Sequence, residues 1–134
     1  MTTYMTTRLF EFVCIGTVAF LFIAFAVPVS AQTTPSIPLC EIQRGLTIGS
    51  VGEDVRCLQR YLNWSGHTVA ISGSGAPGSE TTYYGALTAA AVVRWQNANA
   101  STVLTPLGLF AGTGYWGQAS FGQYVRLVRS SLGV

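Results

Sequence analysis

The sequence predicts a small, mainly α domain: a three-helix bundle with long loops and one disulfide. The first observation is a phrase that occurs three times, in which Ser or Thr is followed after four residues by Val-Arg, at Ser50…Val55-Arg56, Thr88…Val93-Arg94 and Ser120…Val125-Arg126. The second is that apolar residues continue from each copy at helical spacing. The third is a pair of cysteines, Cys40 and Cys57, beyond the apolar N-terminal stretch.

The last two copies of the phrase share a preceding turn. Tyr83-Tyr84-Gly85 stands before Thr88, and Tyr115-Trp116-Gly117 stands before Ser120 in the same register. Glycine allows the backbone to turn tightly and to approach another surface closely. The sequence therefore predicts two similar turns, each leading into a helix.

The N-terminus of the chain is typical of a secretory signal peptide. Phe12 to Val27 is an uncharged apolar stretch, and Pro28-Val29-Ser30-Ala31 follows it with small residues at the cleavage positions. We expect residues 1–31 to be removed and the mature chain to be exported to the periplasm, the cell wall or the extracellular space. The alternative is an uncleaved membrane anchor, although about 16 apolar residues is short against the roughly 20 that a spanning helix needs.

Residues 32–134 have the length of one small domain. We expect residues 32–38, rich in Thr and Pro, to form an extended leader and residues 39–134 to form the domain. The whole chain has 7 basic and 5 acidic residues, a net charge of +2, and only 9% of its residues are charged. This charge is far below that of a nucleic-acid-binding surface, so nucleic acid is not an expected partner.

Cys40 and Cys57 are an even pair in a chain that is expected to be exported, so a disulfide between them is predicted. The alternative is two free buried thiols. A metal site is not expected, because two cysteines and His67, the single histidine, leave a tetrahedral ion short of ligands.

The predicted helices start at the hydroxyl residues of the repeated phrase. Ser50 with Glu53, and Ser120 with Gln123, have the spacing of a capping box, and Thr88 is the expected N-cap of the second helix, with Leu87 and Val92 as a hydrophobic staple. The expected inward faces are Val55, Leu58, Tyr61 and Leu62; Ala91, Val92, Trp95 and Ala98; and Tyr124, Leu127 and Val128. Gly66 is expected to end the first helix.

The segments between the helices carry four further expectations. Leu39 to Gly49 is expected to form a helical turn tied back by Cys40, and His67 to Ser72 to form a short strand within a glycine-rich loop. Part of Ser101 to Gly114 is expected to cover the core, because it is too apolar to be fully solvated. Gln59 and Gln96 are expected to tie loop backbone to a helix, since polar groups near a core must be hydrogen-bonded.

The order of these residues resembles a known family. Leu46-x-x-Gly49-x-x-Gly52-x-x-Val55-x-x-Leu58-Gln59-x-x-Leu62 is similar to the first half of the three-helix peptidoglycan-binding domain. Tyr84-Gly85-x-x-Thr88-x-x-Ala91-Val92-x-x-Trp95-Gln96 is similar to its second half, with Trp95 where the family usually has Phe. Gly114-Tyr115-Trp116-Gly117-x-x-Ser120 resembles the turn into its last helix. The resemblance covers Cys40 to Arg129 and implies a non-catalytic module that binds the bacterial cell wall.

Four residues are the predicted ligand contacts. Tyr83 and Tyr115 are expected to face outward and to stack on a sugar, whereas Tyr84 and Trp116, one position later, are expected in the core. Arg94 and Arg126 are the arginines that best suit the carboxylates of stem peptides. The alternative for the arginines is a solvated position in which the side-chain stem covers apolar surface.

Catalysis is not expected from this sequence. His67 and Glu80 are the only pairing that suggests it, and neither lies beside a recognisable nucleophile. We therefore expect no catalytic residue, cofactor or metal, and peptidoglycan as the partner, with membrane contact only through an uncleaved N-terminus. The alternative function is a structural or protein-recognition domain that binds another exported protein through Leu107, Leu109 and Phe110.

Overall fold

The computed structural model describes residues 36–134, so the predicted signal peptide and most of the leader lie outside the described residues. The described part contains α1 (Glu53–Trp64), α2 (Ala86–Ala98), α3 (Ala100–Val103), a 3₁₀ turn (Thr105–Leu107) and α4 (Gln118–Leu132). The mainly helical class is confirmed, with α1, α2 and α4 as the three main helices. No helix between residues 36 and 134 has the length and apolar character needed to cross a bilayer.

The inward faces of the helices agree with the helical spacing of the sequence, with one exception. α1 buries its four predicted residues and α2 buries Ala91, Val92 and Trp95, while Leu127 and Val128 of α4 are partly buried against the core. Ala98, the last residue of α2, is exposed, so that prediction is wrong. The chain turns at Asn99, and Val103 and Leu104 enter the core in its place.

Four aromatic rings form the centre of the core. The Trp95 and Trp116 ring centroids lie 4.7 Å apart, and the Tyr61 ring meets the Tyr124 ring edge-on at 4.7 Å. The Trp95 indole N–H donates a hydrogen bond to the Tyr61 hydroxyl at 3.1 Å. Edge-to-face aromatic pairs stabilise a core beyond the area that they bury. This cluster joins α1, α2, α4 and the turn before α4.

The three predicted helix starts are wrong in the same way. The N-caps are Gly52, Gly85 and Gly117, and none receives a side-chain capping bond. The Ser50 hydroxyl instead accepts a hydrogen bond from the Thr47 backbone N–H at 3.0 Å, before α1 begins. Thr88 and Ser120 lie buried inside their helices.

Leu87 is 58% exposed, so it does not form the predicted hydrophobic staple with Val92. A staple between Leu87 and Val92 requires Thr88 to be the N-cap. Because α2 begins at Ala86, Leu87 lies inside the helix and not before it.

The repeated phrase is therefore twofold rather than threefold in structure. Val93-Arg94 and Val125-Arg126 begin eight residues after their N-cap glycines, Gly85 and Gly117, whereas Val55-Arg56 begins three residues after Gly52. The first copy thus sits in a different register of its helix. Only the second and third copies describe equivalent structural units.

The segment before α1 contains no helix, so the helical turn predicted from Leu39 to Gly49 is wrong; a bridge at Leu46 and a hydrogen-bonded turn at Ile48 and Gly49 take its place. Leu46 pairs with Trp116 in an antiparallel bridge, with N–O distances of 3.1 and 2.9 Å, so its backbone groups are satisfied by the turn before α4. The predicted disulfide is confirmed: it joins Cys40 to Cys57 of α1. The Tyr124 hydroxyl accepts from the Cys40 N–H at 2.6 Å and donates to the Pro38 carbonyl at 2.7 Å.

The long connection from residue 65 to residue 82 contains no strand, so the strand predicted from His67 to Ser72 is wrong. Gly66 ends α1 as predicted, with a φ of 84°. Asn63 then organises the loop: its side-chain oxygen accepts from the Val69 N–H at 2.8 Å, and its side-chain nitrogen donates to the Gly75 carbonyl at 3.0 Å. These bonds satisfy backbone groups that would be paired with a neighbouring strand in a sheet.

The connection from residue 99 to residue 117 covers the core in part, as expected. Val103 and Leu104 are buried, whereas Leu107, Leu109 and Phe110 face solvent. The short α3 and the 3₁₀ turn carry this change from buried to exposed apolar residues.

Candidate functional site

Two turns of this domain are built from the same pattern. We call residues 83–85 the first tyrosine turn and residues 115–117 the second tyrosine turn. The central residues, Tyr84 and Trp116, are 0% and 1% exposed, whereas Tyr83 and Tyr115 are 53% and 51% exposed. The predicted alternation of an outward tyrosine and an inward aromatic residue is therefore confirmed.

A buried glutamine of α1 fixes the first tyrosine turn. The Gln59 side-chain nitrogen donates to the Thr88 hydroxyl at 2.9 Å and to the Tyr83 carbonyl at 3.0 Å. Its side-chain oxygen accepts from the Thr81 backbone N–H at 2.7 Å. One side-chain amide thus joins Thr81 before the tyrosine turn, Tyr83 in that turn and Thr88 near the start of α2.

A buried glutamine of α2 fixes the second tyrosine turn in the same way. The Gln96 side-chain nitrogen donates to the Ser120 hydroxyl at 3.0 Å and to the Tyr115 carbonyl at 2.8 Å. Its side-chain oxygen accepts from the Thr113 backbone N–H at 2.8 Å. The expectation that Gln59 and Gln96 tie loop backbone to a helix is confirmed. Thr88 and Ser120, the hydroxyl residues of the second and third copies of the repeated phrase, accept from them.

The N-cap glycines provide the space that the outward tyrosines occupy. A Cβ atom at Gly117 would lie 2.5 Å from Cε1 of Tyr115, and one at Gly85 would lie 3.3 Å from Cε1 of Tyr83. Each ring therefore rests against the backbone of its own turn. This contact holds the ring in place while about half of its surface stays open to a ligand.

Each tyrosine turn lines its own cleft. Cleft A, of about 760 Å³, lies between residues 40–45 on one side and Tyr115, Gly117, Gln118 and Phe121 on the other. Cleft B, of about 260 Å³, contains Tyr83, residues 85–88 and the loop residues Val69, Ser74 and Gly75. The two clefts thus use corresponding parts of the two turns and of the helices that follow them.

The two predicted arginines lie apart from these clefts. Arg94 is exposed, and its guanidinium donates to the Thr68 carbonyl at 2.7 Å. Arg126 is exposed as well, and its Nε donates to the Gln123 side-chain oxygen at 3.0 Å. The structure therefore brings each predicted tyrosine into a cleft and brings neither arginine into one.

Arg44 and the segment that carries it belong to the site in the structure but are not predicted from the sequence. Arg44 lines cleft A, and its guanidinium forms hydrogen bonds of 2.8 and 3.1 Å with both carboxylate oxygens of Asp54. The hydrogen bond from Arg44 lowers the pKa of Asp54, so the pair is ionised at neutral pH. The only signal in the sequence is the pair of opposite charges, which does not show that they meet.

His67 and Glu80, the pair that suggested catalysis, have separate partners. Burial lowers the pKa of His67, and the nearby charge of Arg94 lowers it further. Burial alone would raise the pKa of Glu80, but hydrogen bonds from the Asn63 side chain and the Gly78 N–H outweigh it and lower that pKa. Between residues 36 and 134, no three His, Cys, Asp or Glu side chains are grouped so that they could hold a metal ion.

Comparison with known proteins adds one finding to this geometry. No curated protein and no solved structure matches the chain. A family model does match, over residues 51–103, which span α1, the first tyrosine turn, α2 and α3. That model is described as a putative peptidoglycan binding domain, and the match confirms the family resemblance over these residues.

Proposed function

We propose that this chain is an exported, non-catalytic module that binds bacterial cell-wall peptidoglycan through its two tyrosine turns. The family match over residues 51–103 supports peptidoglycan as the partner. The single observation that supports the site is the pair of half-exposed tyrosines at the edges of the two clefts, each with its backbone carbonyl held by a buried glutamine. In this proposal Tyr83 and Tyr115 stack on the apolar faces of sugars.

The proposal divides the chain into a signal peptide (residues 1–31), a leader (residues 32–38) and the binding domain (residues 39–134). The Cys40–Cys57 disulfide supports export, because disulfides form and persist in oxidising compartments outside the cytosol. The destination is then the periplasm, the cell wall or the extracellular space.

Arg94 and Arg126 are retained as proposed secondary contacts. Each guanidinium has five N–H donors and uses one of them in the hydrogen bonds described above. The remaining donors can meet carboxylates of stem peptides that lie beside the bound wall polymer. Because both side chains are exposed, we expect each contact to contribute less than a tyrosine does.

Co-sedimentation of the purified protein with isolated sacculi tests the proposed function. The wild-type protein should pellet with the sacculi, and the Tyr83→Ala/Tyr115→Ala double variant should remain in the supernatant. The Tyr83→Phe/Tyr115→Phe double variant is the matched control, because it keeps both rings and should pellet. Failure of the wild-type protein to pellet above the level of an unrelated protein would overturn the proposal.

Zymography in a gel that contains peptidoglycan tests the non-catalytic part. We expect no clearing around the protein band. A cleared zone around the wild-type band would contradict the proposal. The His67→Ala variant would then show whether the wall-cutting activity depends on His67 or lies elsewhere in the chain.

A second candidate function is recognition of another exported protein by the loop after α3. Leu107, Leu109 and Phe110 are 59%, 38% and 104% exposed, which is unusual for three apolar residues so close together. The test is cross-linking in exporting cells, with the Leu107→Ser/Phe110→Ser variant as comparison. A cross-linked protein that is lost in this variant, together with no sacculus binding by the wild-type chain, would favour this second function.

A further inference from the structure

We propose that the two tyrosine turns are sugar subsites of the same local geometry that hold one glycan strand, so that the groups that enter the two clefts are sugars of the wall glycan and not its stem peptides. This inference rests on the proposed function and specifies its ligand. It follows from three properties of the clefts: their equivalence, their proximity and their charge.

The equivalence of the subsites is structural as well as sequential. In each turn a half-exposed tyrosine rests on the N-cap glycine two positions later, and a glutamine side chain holds the tyrosine carbonyl. The exposures of Tyr83 and Tyr115 differ by little, at 53% and 51%. A protein that presents the same contact twice suits a ligand that presents the same chemical unit repeatedly. A glycan strand has this property, whereas the parts of one stem peptide differ from each other.

The two turns are direct neighbours in the fold. The Tyr84 hydroxyl of the first turn donates to the Gly114 carbonyl, just before the second turn, at 2.6 Å. Residues 46–51 pair with both turns, through antiparallel bridges from Leu46 to Trp116 and from Val51 to Tyr83. Residues paired in this way have Cα atoms only about 5 Å apart. The two turns therefore flank one short connecting segment, and in this proposal a single strand of sugars spans that segment.

The surface between the clefts is also suited to a polymer. Ile48 and Val51 lie on the segment that joins the two turns and are 58% and 61% exposed. Arg44, in the wall of cleft A, donates to the carbonyl of Val51 at 2.8 Å, and Val51 in turn pairs with Tyr83 of cleft B. In this proposal the two exposed apolar side chains contact the sugars between the two subsites.

The charge of the clefts favours a sugar over a carboxylate. No Asp, Glu, Lys, Arg or His lines cleft B. Cleft A contains Arg44, whose guanidinium is paired with Asp54, and Glu41, which would repel an anionic ligand. Arg94 and Arg126, the side chains suited to carboxylates, lie outside both clefts. A ligand that enters both clefts is therefore expected to be uncharged where it meets the tyrosines.

The number of bound disaccharides is the first measurement. The probes are peptide-free strands from amidase-treated walls, in which the lactyl carboxylates that the amidase frees have been converted to uncharged amides, and the disaccharide that lysozyme releases from untreated peptide-free strands after the same conversion. The disaccharide is titrated into the protein, and binding is followed by NMR chemical shifts. The wild-type protein should bind two disaccharides, and Tyr83→Ala and Tyr115→Ala should each bind one with unchanged affinity at the remaining turn. Tyr83→Phe and Tyr115→Phe should each still bind two, and circular dichroism should show that every variant keeps its helices.

The dependence on strand length is the second measurement. Binding of two linked units to two linked sites increases affinity by about 10²-fold over one unit when both sites can be engaged together. The wild-type protein should therefore bind long peptide-free strands about 10²-fold more tightly than the disaccharide. Each single tyrosine-to-alanine variant should lose most of this gain, while Arg94→Ala and Arg126→Ala should keep it.

The outcomes separate this inference from the proposed function. If the wild-type protein binds intact sacculi but not peptide-free strands, the function stands and the inference is overturned in favour of stem peptide. A stoichiometry of one disaccharide for the wild-type protein, or an affinity that does not increase with strand length, also overturns the inference. If the protein does not bind intact sacculi, the proposed function itself has failed.

Discussion

The side-chain nitrogen of Gln59 lies 2.9 Å from the hydroxyl oxygen of Thr88, so a residue of α1 fixes the first turn of α2. Gln96 of α2 has the same relationship with Ser120 of α4 at 3.0 Å. Each main helix thus positions the start of the next one. Because the same amides hold the carbonyls of Tyr83 and Tyr115, the core of the domain also determines where the candidate ligand contacts lie.

Removal of this amide should lower stability markedly. Gln59→Ala leaves the Thr81 N–H and the Tyr83 carbonyl without the partner that they have in the wild-type protein. We expect the free energy of unfolding to fall by about 2–3 kcal/mol, because buried polar groups that lose their partners keep their desolvation cost. Urea denaturation followed by circular dichroism measures this change.

The control for this variant is Gln43→Ala, which removes the same side chain from an exposed position. Its free energy of unfolding should stay within about 0.5 kcal/mol of the wild-type value. Equal urea midpoints for Gln59→Ala and Gln43→Ala would show that the buried amide does not carry the stability assigned to it.

Two glycine-to-alanine substitutions in one region should act in opposite directions. A methyl group at Gly117 would lie 2.5 Å from Cε1 of Tyr115, so we expect Gly117→Ala to displace that ring and to cost about 1 kcal/mol through overpacking. A methyl group at Gly122, inside α4, meets nothing within 4 Å. Gly122→Ala should therefore raise the free energy of unfolding by about 1 kcal/mol.

Thermal denaturation and sacculus binding measure both effects of these glycine variants. Gly117→Ala should also bind sacculi less tightly, whereas Gly122→Ala should bind as the wild-type protein does. A Gly117→Ala variant with unchanged stability and binding would contradict the contact between the tyrosine ring and its turn.

The Arg44–Asp54 pair should make stability depend on pH in acid. The hydrogen bond from Arg44 lowers the pKa of Asp54 in the folded protein below its ordinary value of about 4. The contribution of the pair is therefore fully present above about pH 4 and is lost as the pH falls through the lower pKa of the folded state. The stability difference between wild-type protein and Asp54→Asn should be constant from pH 5 to 7 and should shrink below pH 4.

Urea midpoints measured at a series of pH values test this dependence. Glu53→Gln is the matched control, because the Glu53–Arg56 pair is a helical neighbour pair whose glutamate side chain is 74% exposed. It should show little difference from the wild-type protein at any pH. A difference for Asp54→Asn that persists unchanged at pH 2 would contradict the assignment.

Reduction of the disulfide should destabilise the domain by a predictable amount. Cys40 and Cys57 are 17 positions apart, and closing a loop of this length contributes about 3 kcal/mol in the chain-entropy model. Addition of a reductant to the wild-type protein should lower the free energy of unfolding by this amount. The Cys40→Ser/Cys57→Ser variant should show the same loss without reductant and no further loss with it. A reductant effect of equal size on that variant would rule out the disulfide as its cause.

Sequence patterns predicted the helices because their evidence is local. Val55, Leu58 and Leu62 repeat at the spacing of one helical face, and all three are fully buried. The helix starts could not be predicted from the same kind of evidence. The sequence alone does not show whether the Thr88 hydroxyl caps its own helix or accepts a hydrogen bond from another helix. The actual donor, the side-chain amide of Gln59, is distant in the chain.

The candidate site was predictable in part for a similar reason. The outward position of Tyr83 and Tyr115 follows from their place beside a buried aromatic residue, and the structure agrees. The clefts did not follow, because one wall of cleft A comes from residues 40–45. That wall is held by the disulfide, by the Arg44–Asp54 pair and by the hydrogen bond from the Cys40 N–H to the hydroxyl of Tyr124, which lies 84 positions further along the chain.

The two tyrosine turns are held by separate glutamines, which affects how the two clefts can change during evolution. Because Gln59 serves one turn and Gln96 serves the other, a substitution at the rim of one cleft leaves the hydrogen bonds of the other intact. Under the proposed function, the chain has two recognition surfaces that can change one at a time during evolution while the other keeps its contacts. A duplicated contact of this kind gives a small domain a gradual route from one wall chemistry to another.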